Sequence, residues 1–143
     1  MKKIFLILSL SCLCLLSPVS ARADLVLVVS ADSGIANLSR DEVVNIFLGR
    51  YRKLPNGATA VPLDIDGDSM ERRMFYQTLL GKPLAEINSY WSRLVFSGRT
   101  TPPEDLPSQR AVLLRVMRDP VAIGYIDRAN LNDKVKVVYE LAN

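Results

Sequence analysis

The longest apolar run opens the chain. Ile4 to Leu16 is almost unbroken, follows the positive start Lys2-Lys3, and is interrupted by Pro18 and Ser20. Ala21-Arg22-Ala23 is an A-x-A cleavage pattern before Asp24. The run is shorter than the ~20 apolar residues a membrane-spanning helix needs, so it reads as a secretory signal peptide. Cleavage after Ala23 is expected, making residues 1–23 the signal peptide and 24–143 one domain, with no stable membrane insertion afterwards.

Leu25 to Val29 is continuously apolar and ends at Ser30-Ala31-Asp32-Ser33-Gly34, the mark of a strand covered on both faces and then a turn. Leu38-Ser39-Arg40-Asp41-Glu42 opens a helix, because Ser39 and Glu42 have the S-x-x-E capping spacing. Val43, Ile46 and Phe47 follow at helical spacing, and Gly49 ends the helix. Thr59 to Leu63 predicts a second strand, with Pro62 demoting it or marking its end. Asp64 to Ser69 reads as a polar loop. Helices are expected over 69–80 and 83–96, the second with Leu84, Ile87, Trp91, Leu94 and Val95 as its buried stripe. Residues 97–107, with Pro102-Pro103, read as a long loop. Ser108 is expected to cap a helix reaching Arg118, which Asp119-Pro120 halts. Strands follow at 121–126 and 135–141. The order β-α-β-α-α-α-β-β predicts an α/β class: a three-layer domain with a mixed sheet and helices on both faces.

Composition changes the picture once the signal is set aside. The full chain has 143 residues, 18 Lys+Arg, 15 Asp+Glu, no His and two Cys. Cleavage removes Lys2, Lys3, Arg22 and both cysteines, so the remaining formal charge is zero. A neutral protein without Cys or His has no disulfide, thiol nucleophile, thiolate metal site or imidazole base. Zero charge also argues against non-specific nucleic-acid binding. The serines lack a G-x-S-x-G elbow, so no enzyme is expected. No cofactor or metal is expected either. Asp64, Asp66 and Asp68 alternate, which would put three carboxylates on one side, but Gly67 and Phe75 fail the EF-hand pattern and a solvated acidic loop is expected. The arginines at 93, 99, 110, 115 and 118 are candidates for an anion or partner surface, or for solvated faces with local ion pairs.

Three segments carry a family resemblance. Leu38-Ser39-Arg40-Asp41-Glu42-Val43-Val44-Asn45-Ile46-Phe47-Leu48-Gly49-Arg50 resembles the L-S-x-x-E-x-x-x-I-F-L-G-K/R helix of the periplasmic phosphate-binding proteins of ABC transporters. Val121-Ala122-Ile123-Gly124-Tyr125-Ile126 resembles their G-A-I-G-Y-V strand, and Asp66-Gly67-Asp68-Ser69 stands where they carry a D-G-S-G-T phosphate loop. The resemblance spans about Leu25 to Ile126. It implies a single lobe of a periplasmic-binding-protein-like fold, in the periplasm, serving transport as a substrate-binding protein for phosphate or another small oxyanion. The implied site is Asp66, Gly67, Asp68 and Ser69 with Arg72, and Arg72 or Arg73, one turn inside the helix, would turn back to compensate the added carboxylate. The sequence departs from the family at Asp68 for Ser, Ser69 for Gly, Met70 for Thr and Asp64 for Arg. Family members have two lobes, so a homodimer or a protein partner is expected to supply the missing wall. The alternative is an envelope accessory or protein-interaction module that keeps the fold without the ligand.

Overall fold

Strand β1, Leu25–Ser30, is buried along its whole length, as an uninterrupted apolar strand must be. In the computed structural model, which describes residues 23–141, it lies inside a five-stranded sheet. The expected signal peptide up to Arg22, with both cysteines, lies outside the described residues. After β1 come α1 Arg40–Phe47, β2 Val61–Ile65, α2 Met70–Leu80, α3 Leu84–Ser97, β3 Glu104–Leu106, α4 Gln109–Arg118, β4 Ala122–Asp127, a 3-10 turn Arg128–Asn130 and β5 Val135–Glu140. The strand order is β3-β2-β4-β1-β5. Strand β2 runs parallel to β3 and β4, and β1 antiparallel to β4 and β5, so the sheet is mixed as expected.

Alternation along β4 separates the layers. A Cβ added at Gly124 would collide with Val112 Cγ1 of α4. Tyr125 turns to the other face, where its ring stacks on Phe75 of α2 with centroids 4.0 Å apart and lies 6.5 Å from Phe47 of α1. Neighbouring strand residues point to opposite faces, so α4 covers one side of the sheet and α1 and α2 the other. Helix α3 joins that second side through buried Ile87 and Trp91 and through the Tyr90 hydroxyl, which donates to the Leu48 carbonyl at 2.6 Å. Val95, expected on the buried stripe, is instead 53% exposed.

The helix ends follow the predicted chemistry. Ser39 Oγ accepts from the Glu42 amide at 3.2 Å, and the Glu42 carboxylate accepts from the Ser39 amide at 2.7 Å. Gly49 sits at φ 67°, where a Cβ would also press within 2.8 Å of Thr100 Oγ1 and 2.9 Å of Trp91.

Two elements differ from expectation. Strand β2 starts two residues later than predicted and includes Asp64 and Ile65, which had read as loop. Pro62 lies inside it rather than at its end. It is tolerated because the Val61 amide bonds to Val121 on the β4 side, while β3 pairs only from Leu63 onward. No ladder bond on that side therefore needs the missing amide. The second difference is β3, within the expected loop. Its three residues show no apolar alternation and are held by pairing with β2, by the Asp66 amide on the Leu106 carbonyl at 2.8 Å, and by Arg115 on the Glu104 carboxylate at 2.7 Å.

Candidate functional site

Ser69 caps α2, its Oγ accepting from the Arg72 amide at 3.1 Å. The first helical amides, Met70 and Glu71, have no intrahelical acceptor. Ser108 caps α4 in the same way, accepting from the Ala111 amide at 3.2 Å and leaving the Gln109 and Arg110 amides open. Ile65, Ser69, Glu71, Ser108, Gln109 and Arg110 line one concavity of about 350 Å³. The positive ends of two helix dipoles therefore converge, an arrangement suited to an anion. Arg110 is exposed, and among the described residues no carboxylate lies within 4.0 Å of it. Glu71 opposes it. Its carboxylate accepts from Gln109 Nε2 at 3.1 Å, while Gln109 Oε1 accepts from the Asp127 amide at 2.7 Å and from Asn130 at 3.1 Å.

A closed polar network centred on Asp64 lines a different cavity, together with Arg72. Asp64 is 2% exposed. Its carboxylate accepts from the Tyr125 hydroxyl at 2.5 Å, the Tyr76 hydroxyl at 2.7 Å, the Ile65 amide at 2.8 Å and Arg72 Nε at 3.2 Å. A buried carboxylate persists only when it is paired and hydrogen-bonded in this way. Burial, followed by the Asp64 charge, pushes both tyrosine hydroxyls well above their usual range, so they remain donors. Burial opposes the Arg72 charge, but Asp64 more than offsets this and raises its pKa. Burial and then Asp64 also raise the Asp105 carboxyl. Arg72 spends its other nitrogens on the Gly67 carbonyl at 3.0 Å and Asn88 Oδ1 at 3.3 Å.

The sequence-predicted residues thus divide. Asp66, Gly67 and Asp68 form the exposed loop, and Ser69 joins it to the concavity. Ser69 caps the helix, and Asp68 pairs with Arg73 at 2.7 Å. Arg72 does turn back, but its guanidinium is fastened to Asp64 and the loop carbonyl and lines a separate cavity with Asn88, Trp91 and Asp105. The three alternating carboxylates do not act as one set, since Asp64 is buried in its own network. Among the described residues, no group of three or more His, Cys, Asp or Glu could hold a metal. Two features went unread in the sequence. One is Asp64 as a buried hub, which the apolar flanks Leu63 and Ile65 could have signalled. The other is the meeting of Ser108 and Arg110 with Ser69, which no local pattern announces.

No family model and no curated protein sequence matches the chain. Solved structures do match. The chain is similar to an ABC-type phosphate transport receptor from Vibrio cholerae, with 16% identity and TM-score 0.63, over 81% of this chain and 45% of that one. It is similar to a Clostridium perfringens protein described as a phosphate ABC transporter substrate-binding protein and solved with bound phosphate, with 17% identity and TM-score 0.65, over 81% and 44%. PstS from Borrelia burgdorferi gives 18% identity and TM-score 0.56, over 74% and 41%. The chain therefore spans less than half the length of each of these three. At such identities the likeness establishes the fold: this chain has the mixed-sheet α/β architecture of part of a phosphate-transport substrate-binding protein.

Proposed function

We propose that the protein is an exported solute-binding module that takes phosphate or another small oxyanion weakly at the Asp66, Gly67, Asp68 and Ser69 loop. Arg72 holds that loop from behind through the Gly67 carbonyl. The N-terminus of α4, with Arg110, completes the wall. The observation that carries this reading is the convergence of two serine-capped helix N-termini on one concavity. The ligand of the Clostridium perfringens neighbour makes phosphate the first anion to test. Asp66, Asp68 and Glu71 work against it, since like charges 4 Å apart at an effective dielectric of 20 cost about 4 kcal/mol. One lobe also leaves an anion open on one side, whereas ligand pockets normally bury most of their ligand. A second subunit or a partner protein closes the site. The reading involves no catalytic step, cofactor or metal. Export to the periplasm is supported by Lys2-Lys3, the apolar run to Leu16 and Ala21-Arg22-Ala23. Among the described residues no helix is long and apolar enough to cross a membrane.

Phosphate calorimetry on the purified exported protein tests the site, with millimolar binding expected. Micromolar binding by a monomer would overturn the weak, one-walled site. No heat at tens of millimolar would overturn the oxyanion reading and leave the second one, an envelope interaction module without ligand. A separate surface favours that second reading.

A further inference from the structure

Helices α1 and α3, with the end of α2, enclose a groove of about 570 Å³ that shares no lining residue with the helix-terminus concavity. Its floor is apolar, including Val44, Leu48, Leu80 and Ile87, and its rim carries Arg40, Arg50, Lys82 and Arg93. Glu86 is the one acid in the lining, and Lys82 neutralises it at 3.1 Å. Among the described residues no carboxylate lies within 4.0 Å of Arg40, Arg50 or Arg93.

Ordinary helix electrostatics account for only part of this cluster. Arg50 and Lys82 follow helix C-termini, where cations are favoured. Arg93 lies mid-helix in α3, and Arg40 is the first residue of α1, where a cation is disfavoured. The walls are also fixed in place. Arg40 Nη2 donates to the Leu79 carbonyl at 2.6 Å, and the Tyr90 hydroxyl ties α3 to the end of α1. A preformed groove spends less free energy on ordering when it is filled. One turn beyond Arg93, Phe96 is 95% exposed and prolongs the apolar strip.

We propose that this groove is a docking site for an acidic amphipathic segment of a partner protein, its apolar face on the floor and its carboxylates on the arginine rim. Charge complementarity selects the acidic partner. The concavity selects an inserted segment over a lipid surface, which would meet only the rim. Phe96 is the anchor at one end, an exposed aromatic of the type that carries interface energy.

The test is fluorescence anisotropy with a short labelled peptide bearing leucines on one helical face and glutamates on the other. The same peptide with lysines in place of the glutamates is the control. Saturable binding of the glutamate peptide is expected, at least tenfold tighter than that of the lysine peptide. It should weaken about tenfold in Arg93→Glu and severalfold in Phe96→Ala, both exposed positions whose thermal unfolding should stay unchanged. Equal binding of the two peptides, no binding of the glutamate peptide, or insensitivity to both substitutions would overturn the proposal. So would binding to phosphatidylglycerol vesicles without peptide binding, or a self-associated dimer that loses its contact in Arg93→Glu. Phosphate calorimetry on Arg93→Glu should match the parent protein, which keeps this outcome separate from that of the oxyanion site.

Discussion

The polar network around Asp64 and the groove between α1 and α3 place charge on the protein in opposite ways. Around Asp64, the carboxylate meets four donors and each Arg72 side-chain nitrogen finds an acceptor in the fold. In the groove, Arg50 and Arg93 lie exposed and, among the described residues, without a carboxylate. A charge answered internally is structural, and what it offers a ligand is small. A charge left open at an exposed, preformed surface stabilises little by itself and remains free for a partner. The concavity at the N-termini of α2 and α4 lies between these extremes, since its open amides and Arg110 face Glu71 across the same wall.

The largest effect should come from breaking the closed network. Asp64→Ala strands the Arg72 guanidinium and two tyrosine hydroxyls, and loss of one partner of a buried ion pair costs about 3–5 kcal/mol. Urea unfolding should report that loss, whereas Arg93→Glu in the open groove should fall within about 0.5 kcal/mol of the parent, as exposed substitutions do. Equal effects at the two sites would erase the distinction.

Alkaline pH loosens the same network without mutation. Tyr76 and Tyr125 have folded pKa values raised above their unfolded value of about 10. Their contribution is therefore fully present below pH 10, and above it the native state binds more protons than the unfolded one. Stability should fall by about 1.4 kcal/mol per pH unit for each tyrosine above that pH. Urea midpoints from pH 8 to 11.5 check this, and Tyr76→Phe should shallow the slope by about half.

A purely apolar probe comes next. Gly124→Ala drives a methyl into Val112 Cγ1, and overpacking of this kind costs about 1–3 kcal/mol. Thermal unfolding of Gly124→Ala together with Val112→Ala should recover part of the loss.

The smallest effect belongs to the intermediate site. Glu71→Gln removes a carboxylate that competes for the dipole of α2, an interaction of about 1 kcal/mol. Phosphate affinity by calorimetry should rise about fivefold. No rise would mean that anions do not bind at this helix terminus.

Local chemistry was legible wherever one segment carried it whole. The uninterrupted apolar run marked β1, Ser39 with Glu42 marked the start of α1, Gly49 its end, and Ser108 the cap of α4. The same reading missed β3, because three residues held by a neighbouring strand and by Arg115 show no pattern of their own. It put Asp64 in a loop, because a carboxylate beside Asp66 and Asp68 looks solvated until its donors are seen. Those donors come from α2 and β4, 12 and 61 residues further along the chain. Val95 misled for the opposite reason: helical spacing reports a face, but only packing decides how wide the covered part of that face is.

By itself, then, the sequence determined the class of fold and the helix caps, since each rests on patterns within short segments of the chain. Tertiary structure decided which charges remain open. Whether Arg72, Arg93 or Arg110 faces a carboxylate, a carbonyl or solvent depends on which elements pack beside it. Coulomb and hydrogen-bond partners are set by distances in space that spacing along the chain does not encode.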